Sequence, residues 1–75
     1  MKERYHYSYS DEQVLEEARL LVYTTGASTY TVANQLNRPQ STVWHHMTHR
    51  LQDLDAELFL KVGIVLRENY KGGGR

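Results

Sequence analysis

The stretch TYTVANQLNRPQSTVWHHMTHRL, residues 29–51, decides how this chain folds. Its first half places Val32, Ala33 and Leu36 at helical spacing. Asn37 follows where the chain needs a left-handed residue, and Asn tolerates that conformation better than most residues with a Cβ. Arg38-Pro39 then blocks continuation, because the residue before Pro is driven towards extended geometry. Pro39 itself suits the first turn of a new helix. That helix, from about Pro39 to Leu51, carries Val43, Met47 and Leu51 on one stripe that continues to Leu54. Two short helices joined by a tight turn match the helix-turn-helix of DNA-binding proteins.

With Val43, Met47 and Leu51 facing inward, two columns face outward. One is Gln40, Trp44 and Thr48; the other is Ser41, His45 and His49. Gln can bond adenine through two atoms, Ser and Thr can bond bases or phosphate, and an apolar edge can touch a thymine methyl. No Asp or Glu lies between residues 18 and 52, whereas Arg19, Arg38 and Arg50 do, together with His45, His46 and His49. The pattern implies a segment that a polyanion can approach without meeting a carboxylate. A solvated polar helix is the plain alternative, but it leaves Trp44 exposed for no reason.

A chain of 75 residues is one small domain, near the lower end of what folds without staples. It has no Cys, which excludes a disulfide framework and thiol chemistry. Nothing resembles a signal peptide or a membrane span, so a cytoplasmic protein with no membrane partner is expected. The net charge is zero, unlike that of most nucleic-acid-binding domains. The distribution is uneven, however: residues 11–17 hold four acids and no base, and residues 18–52 hold three Arg and no acid. Such a chain can present one positive face.

Residues 1–10 form an N-terminal arm in which Tyr5, Tyr7 and Tyr9 alternate with His6 and Ser8, a period of two that suggests extended chain. Ser10 opens the first helix, with Gln13 as its capping-box partner. Val14, Ala18, Leu21 and Val22 form the buried stripe, and Gly26 is expected to end the helix as its C′ residue. Glu12, Glu16 and Glu17 read as a solvated face. Thr29 is the expected cap of the second helix, and Tyr30 is expected to be half buried. Asp55 is the expected N-cap of a fourth helix, from Ala56 to about Tyr70.

That last helix is apolar on more than one side. Leu58, Val62 and Val65 form one stripe, while Leu60 and Ile64 point elsewhere and call for a cover. The tyrosine arm, in the same chain or a second one, is the expected cover. Gly63 in mid-helix suggests close approach of another backbone. Residues 11–71 thus make up an all-α helix-turn-helix domain of about four helices, and residues 72–75 a flexible tail.

The segment STVWHHMTHRLQDLDAELFLKVGIVL resembles the stage III sporulation protein D family of transcriptional regulators from endospore-forming bacteria. The matching pieces are Ser41-Thr42-Val43, Thr48, Arg50-Leu51, Leu54, Glu57-Leu58, Val62 and Val65-Leu66, with Thr29, Val32 and Ala33 upstream. The resemblance implies a sequence-specific DNA-binding regulator of sporulation genes, with base contacts at Gln40, Ser41, Trp44, His45 and Thr48. Arg38, Thr42, His49 and Arg50 complete the candidate DNA-binding set, with Lys71 and Arg75 as a reduced basic C-terminal region. Asn37 stands where the family's turn usually has Gly, and His residues stand where its recognition helix tends to carry Lys.

The expected partners are double-stranded DNA and, for a transcriptional regulator, RNA polymerase, with the chain a monomer or weak homodimer. Two other classes of function compete. His45 and His49, or His46 and His49, are spaced to offer two metal ligands, with His6 the only evident third. The fourth helix could instead dock a protein partner. An enzyme is not expected, since no nucleophile–base pair, phosphate loop or acid pair is evident, and neither is a cofactor.

Overall fold

The computed structural model describes residues 9–73, with side chains as far as Asn69. Every regular element among them is helical. Helix α1 (Asp11–Tyr23) begins at Ser10, whose hydroxyl accepts from the Gln13 N–H while the Gln13 side chain accepts from the Ser10 N–H. Both bonds satisfy donors that a helix start leaves open. Asp11 and Glu12 add negative charge at the positive end of the helix dipole. The helix stops at Tyr23, earlier than a C′ role for Gly26 requires. Gly26 instead takes φ +77° in a turn closed by the Ala27 N–H on the Thr24 carbonyl. That conformation is cheap only for Gly.

Helix α2 (Thr29–Leu36) is capped by Ser28, one residue before the expected cap, in a capping box with Thr31. Thr29 is the first helical residue and is buried. Tyr30 is exposed rather than half buried: Thr29, Val32 and Ala33 set the buried side of the helix, and Tyr30 falls outside it. At the other end Asn37 adopts φ 59°, ψ 52°, the left-handed conformation expected of it. The Arg38 N–H reaches the Ala33 carbonyl at 2.9 Å and the Asn37 N–H reaches the Asn34 carbonyl at 3.3 Å. This is the paired bonding of a Schellman motif, which satisfies two carbonyls that the helix end would leave open.

Pro39 then turns the chain, its carbonyl accepting from the Thr42 and Val43 N–H groups. Residues 40–54 follow as one helical rod in three pieces: α3 (Gln40–His45), a π turn (His46–Arg50) and α4 (Leu51–Leu54). In the π turn the Leu51 N–H reaches back to the His46 carbonyl, which inserts an extra residue into the turn. Val43, Met47 and Leu51 are all buried along the inner side. Asp55 breaks the rod and caps α5 (Ala56–Gly73), accepting the Leu58 N–H at 3.0 Å. Helix α5 runs past its expected stop near Tyr70.

The described residues therefore build four helical rods. Helix α1 is central, packing against α2, the rod and α5. Val14, Ala18 and Leu21 from α1 meet Val32, Val43, Met47, Leu51 and Val62 in one core. The Asn69 side chain donates to the Ala27 carbonyl at 3.0 Å and ties α5 to the α1–α2 turn. Gly63 does not serve a close approach among the described residues: a Cβ there would meet none of their atoms within 4 Å.

Two backbone substitutions test these assignments. Gly63→Ala should stabilise the dilute protein by about 1 kcal/mol, since it adds helix propensity without a clash. Asn37→Ala should cost about 0.5–1 kcal/mol, because Ala keeps the Cβ but lacks the polar side chain that eases a left-handed conformation, and Asn37→Gly should cost nothing. Urea unfolding measures both. Loss of stability in the Gly63 variant, or none in Asn37→Ala, would contradict the assigned backbone.

Candidate nucleic-acid interface

The outer side of the rod is set by what the inner side must bury. Trp44 is 48% exposed, too much for a core residue of its size, and Ser41 and His49 are exposed beside it. His45 and His49, one turn apart, stack with ring centroids 4.7 Å apart and planes 14° from parallel. The Thr48 hydroxyl donates to the Trp44 carbonyl at 2.8 Å. Having given its proton, that oxygen is left to accept from Nδ1 of His49 at 2.9 Å, which directs the ring's Nε2 away from Thr48. The Thr48 and His49 side chains are thus braced against the backbone at Trp44. Gln40 is partly committed elsewhere: its Nε2 donates to Thr29 Oγ1 at 2.9 Å, stitching α2 to α3.

Thr42, expected among the DNA contacts, is 1% exposed. It falls one residue before Val43 on the inward side, so its side chain cannot reach a duplex docked on Trp44. Arg38 and Arg50 were expected to meet phosphate, and both are bound inside the domain. Arg38 Nη1 donates to Glu17 Oε2 at 2.8 Å and to the Gln13 carbonyl at 3.2 Å; Nη2 reaches Glu16 Oε1 at 3.3 Å. Only 10% of the Arg38 side chain is exposed. Arg50 donates to the Tyr9 carbonyl and, at 2.8 Å, to Asp11 Oδ1. Asp11, Glu16 and Glu17 of α1 are therefore folded against the arginines of the turn and rod. A polyanion approaching either arginine meets a carboxylate after all.

The largest departure from the sequence pattern is Glu17, expected in solvent and completely buried. Its Oε1 accepts from Nδ1 of His46 at 2.8 Å, and its Oε2 from Arg38. His46, expected near the core edge, is also fully buried, and its Nε2 has no partner among the described residues. Tyr9 closes this cluster. Its ring meets His46 edge-on at 5.3 Å, and the Arg38 guanidinium lies 5.1 Å from its centroid. Tyr9 therefore packs at the Glu17 cluster rather than along Leu60 and Ile64. Residues 1–8, which carry Tyr5, Tyr7 and His6, lie outside the described residues, as do the Lys71 side chain and Arg75.

Sequence reading missed Glu17 and His46, although a signal was present. Glu17 lies three residues after Val14 and four before Leu21, within the buried stripe, and His46 lies three after Val43. The described residues contain no group of three or more His, Cys, Asp or Glu able to hold a metal ion. No described helix is long and apolar enough to cross a membrane. No family model, curated protein or solved structure matches the chain.

The two arginines should behave differently. Arg38→Ala leaves a buried carboxylate without its counter-charge and should cost about 3–5 kcal/mol. Arg50→Ala breaks a pair whose acid is 68% exposed and one charge-assisted bond to the Tyr9 carbonyl, and should cost about 1–2 kcal/mol. Denaturant unfolding distinguishes them, and equal losses would contradict the burial of Glu17.

Proposed function

We propose that this chain is a sequence-specific DNA-binding transcriptional regulator that reads the major groove with the outer side of residues 40–54. The observation that carries this reading is an exposed Trp44 on the second helix of a helix-turn-helix, flanked by Ser41, His45, Thr48 and His49. The width of the major groove admits such a helix, and those side chains offer a thymine-methyl contact and several hydrogen-bonding groups. The resemblance of residues 41–66 to the stage III sporulation protein D family supports the same reading and extends it to sporulation genes. Thr42 acts in this reading as a core residue, and Arg38 and Arg50 as braces that hold the rod.

With both arginines paired internally, few phosphates are neutralised. Discrimination between sequences then rests on Trp44 and its polar neighbours. The salt dependence should be shallow, with log K falling against log salt by a slope no steeper than about −4.

Selection of bound sequences from random duplexes, at stated salt, tests the proposal. A reproducible motif is expected. Trp44→Ala should weaken binding to that motif about tenfold or more, while its stability stays within about 1 kcal/mol of the parent and non-specific binding is unchanged. No enrichment in the selection would overturn the proposal. So would a Trp44 variant that loses all duplexes equally.

A further inference from the structure

Helix α5 keeps one face on the core and leaves the opposite face uncovered. Leu58 and Val62 are buried, whereas Leu60 is 67% and Ile64 59% exposed. Two large aliphatic side chains one turn apart, standing in water on a well-formed helix, are unusual in a molecule this small. Around them the order of residues is regular. Glu57, Leu60, Ile64 and Arg67 are spaced three, four and three apart, the spacing of a helix–helix seam, and all four are exposed. Lys61, beside the seam, is occupied within the chain, its Nζ lying 3.4 Å from the Tyr23 hydroxyl. Among the described residues neither Glu57 nor Arg67 forms an ion pair.

We infer that this face pairs with the same face of a second copy of the chain, with the two α5 helices antiparallel. The charge order identifies the occupant. Read along the helix the seam is acid, apolar, apolar, base; read backwards it is base, apolar, apolar, acid. An antiparallel copy therefore sets Glu57 against the partner's Arg67, and Leu60 against the partner's Ile64, twice over about a two-fold axis. This is the self-complementarity that an isologous dimer requires. A parallel copy would set Glu57 against Glu57 and Arg67 against Arg67, which like-charge repulsion disfavours. Gly63, with open space above it, lies on the flank of the seam and leaves room for the approaching helix.

A seam of two aliphatic residues per chain buries less than a standard interface, so the dimer is weak. It forms at protein concentrations between roughly 10 μM and 1 mM, and below that range the monomer dominates. Because the seam lies opposite the core face of α5, pairing leaves the fold of each chain unchanged.

Sedimentation equilibrium on the full chain, with charge-reversed variants, tests this. Glu57→Arg and Arg67→Glu should each weaken self-association about tenfold or more, since each replaces two attractive contacts with two repulsive ones. The double variant should restore it. An equimolar mixture of the two single variants should form a heterodimer, because each supplies the charge that the other lacks. All four residues of the seam are exposed, so circular dichroism should show every variant folded. A monomer across the whole range would overturn the inference. A dimer indifferent to charge reversal, or one that the double variant fails to restore, would overturn the antiparallel pairing. Nuclear Overhauser contacts from Leu60 and Ile64 to residues 1–8 of the same chain would make that segment the occupant and also overturn it.

Discussion

The Glu17 carboxylate, completely buried in the middle of α1, constrains the rest of this domain. A carboxylate in an apolar interior is strongly unfavourable unless its lone pairs are met and its charge is balanced. Here the Arg38 guanidinium balances it and the His46 ring completes its bonding. Arg38 belongs to the turn between α2 and the rod, and His46 to the rod itself. One side chain of α1 thus fixes both the turn and the rod against the central helix. The π turn begins at His46, the residue drawn inward by that bond. Apolar side chains could fill the same space with no loss of stability. What they could not supply is direction: a carboxylate with two specific donors permits far fewer arrangements than a greasy contact does.

This constraint also shapes the outer surface. Acids and bases separated along the sequence come together in space, Glu16 and Glu17 with Arg38 and Asp11 with Arg50. Among the described residues the pairing removes the positive face that the sequence suggested and leaves a surface of aromatic, hydroxyl and imidazole groups on the outer side of the rod. Such a surface discriminates by shape and hydrogen bonding more than by charge. The Thr48 and His49 side chains gain order from bonds within their own helix, which lowers the freedom they would lose on binding.

Much of the fold was legible because its signals are local. Ser10 with Gln13, Asn37 before Arg38-Pro39, and Asp55 before α5 each act on backbone within a few residues, and each does so where expected. Hydrophobic spacing likewise placed Val43, Met47 and Leu51 inside and Trp44 outside. The largest errors concern charge. Glu17 looked like one acid among several because its partners lie 21 and 29 residues away, beyond any local rule. Arg38 looked available for phosphate for the same reason. The one-residue error at Ser28 and the early stop of α1 at Tyr23 are smaller: neighbouring Ser, Thr and Gly residues offered alternative caps of similar strength.

The measurement that bears most directly on this account is a double-mutant cycle between Glu17 and His46. Glu17→Gln, His46→Leu and the double variant are compared with the parent by urea unfolding. If the buried bond organises the domain, each single change is destabilising. The double variant is then more stable than the sum of the single losses predicts, by about 1–3 kcal/mol. Additive losses within about 0.5 kcal/mol would show that the two residues do not interact, and would contradict the placement of Glu17 at the centre of the fold.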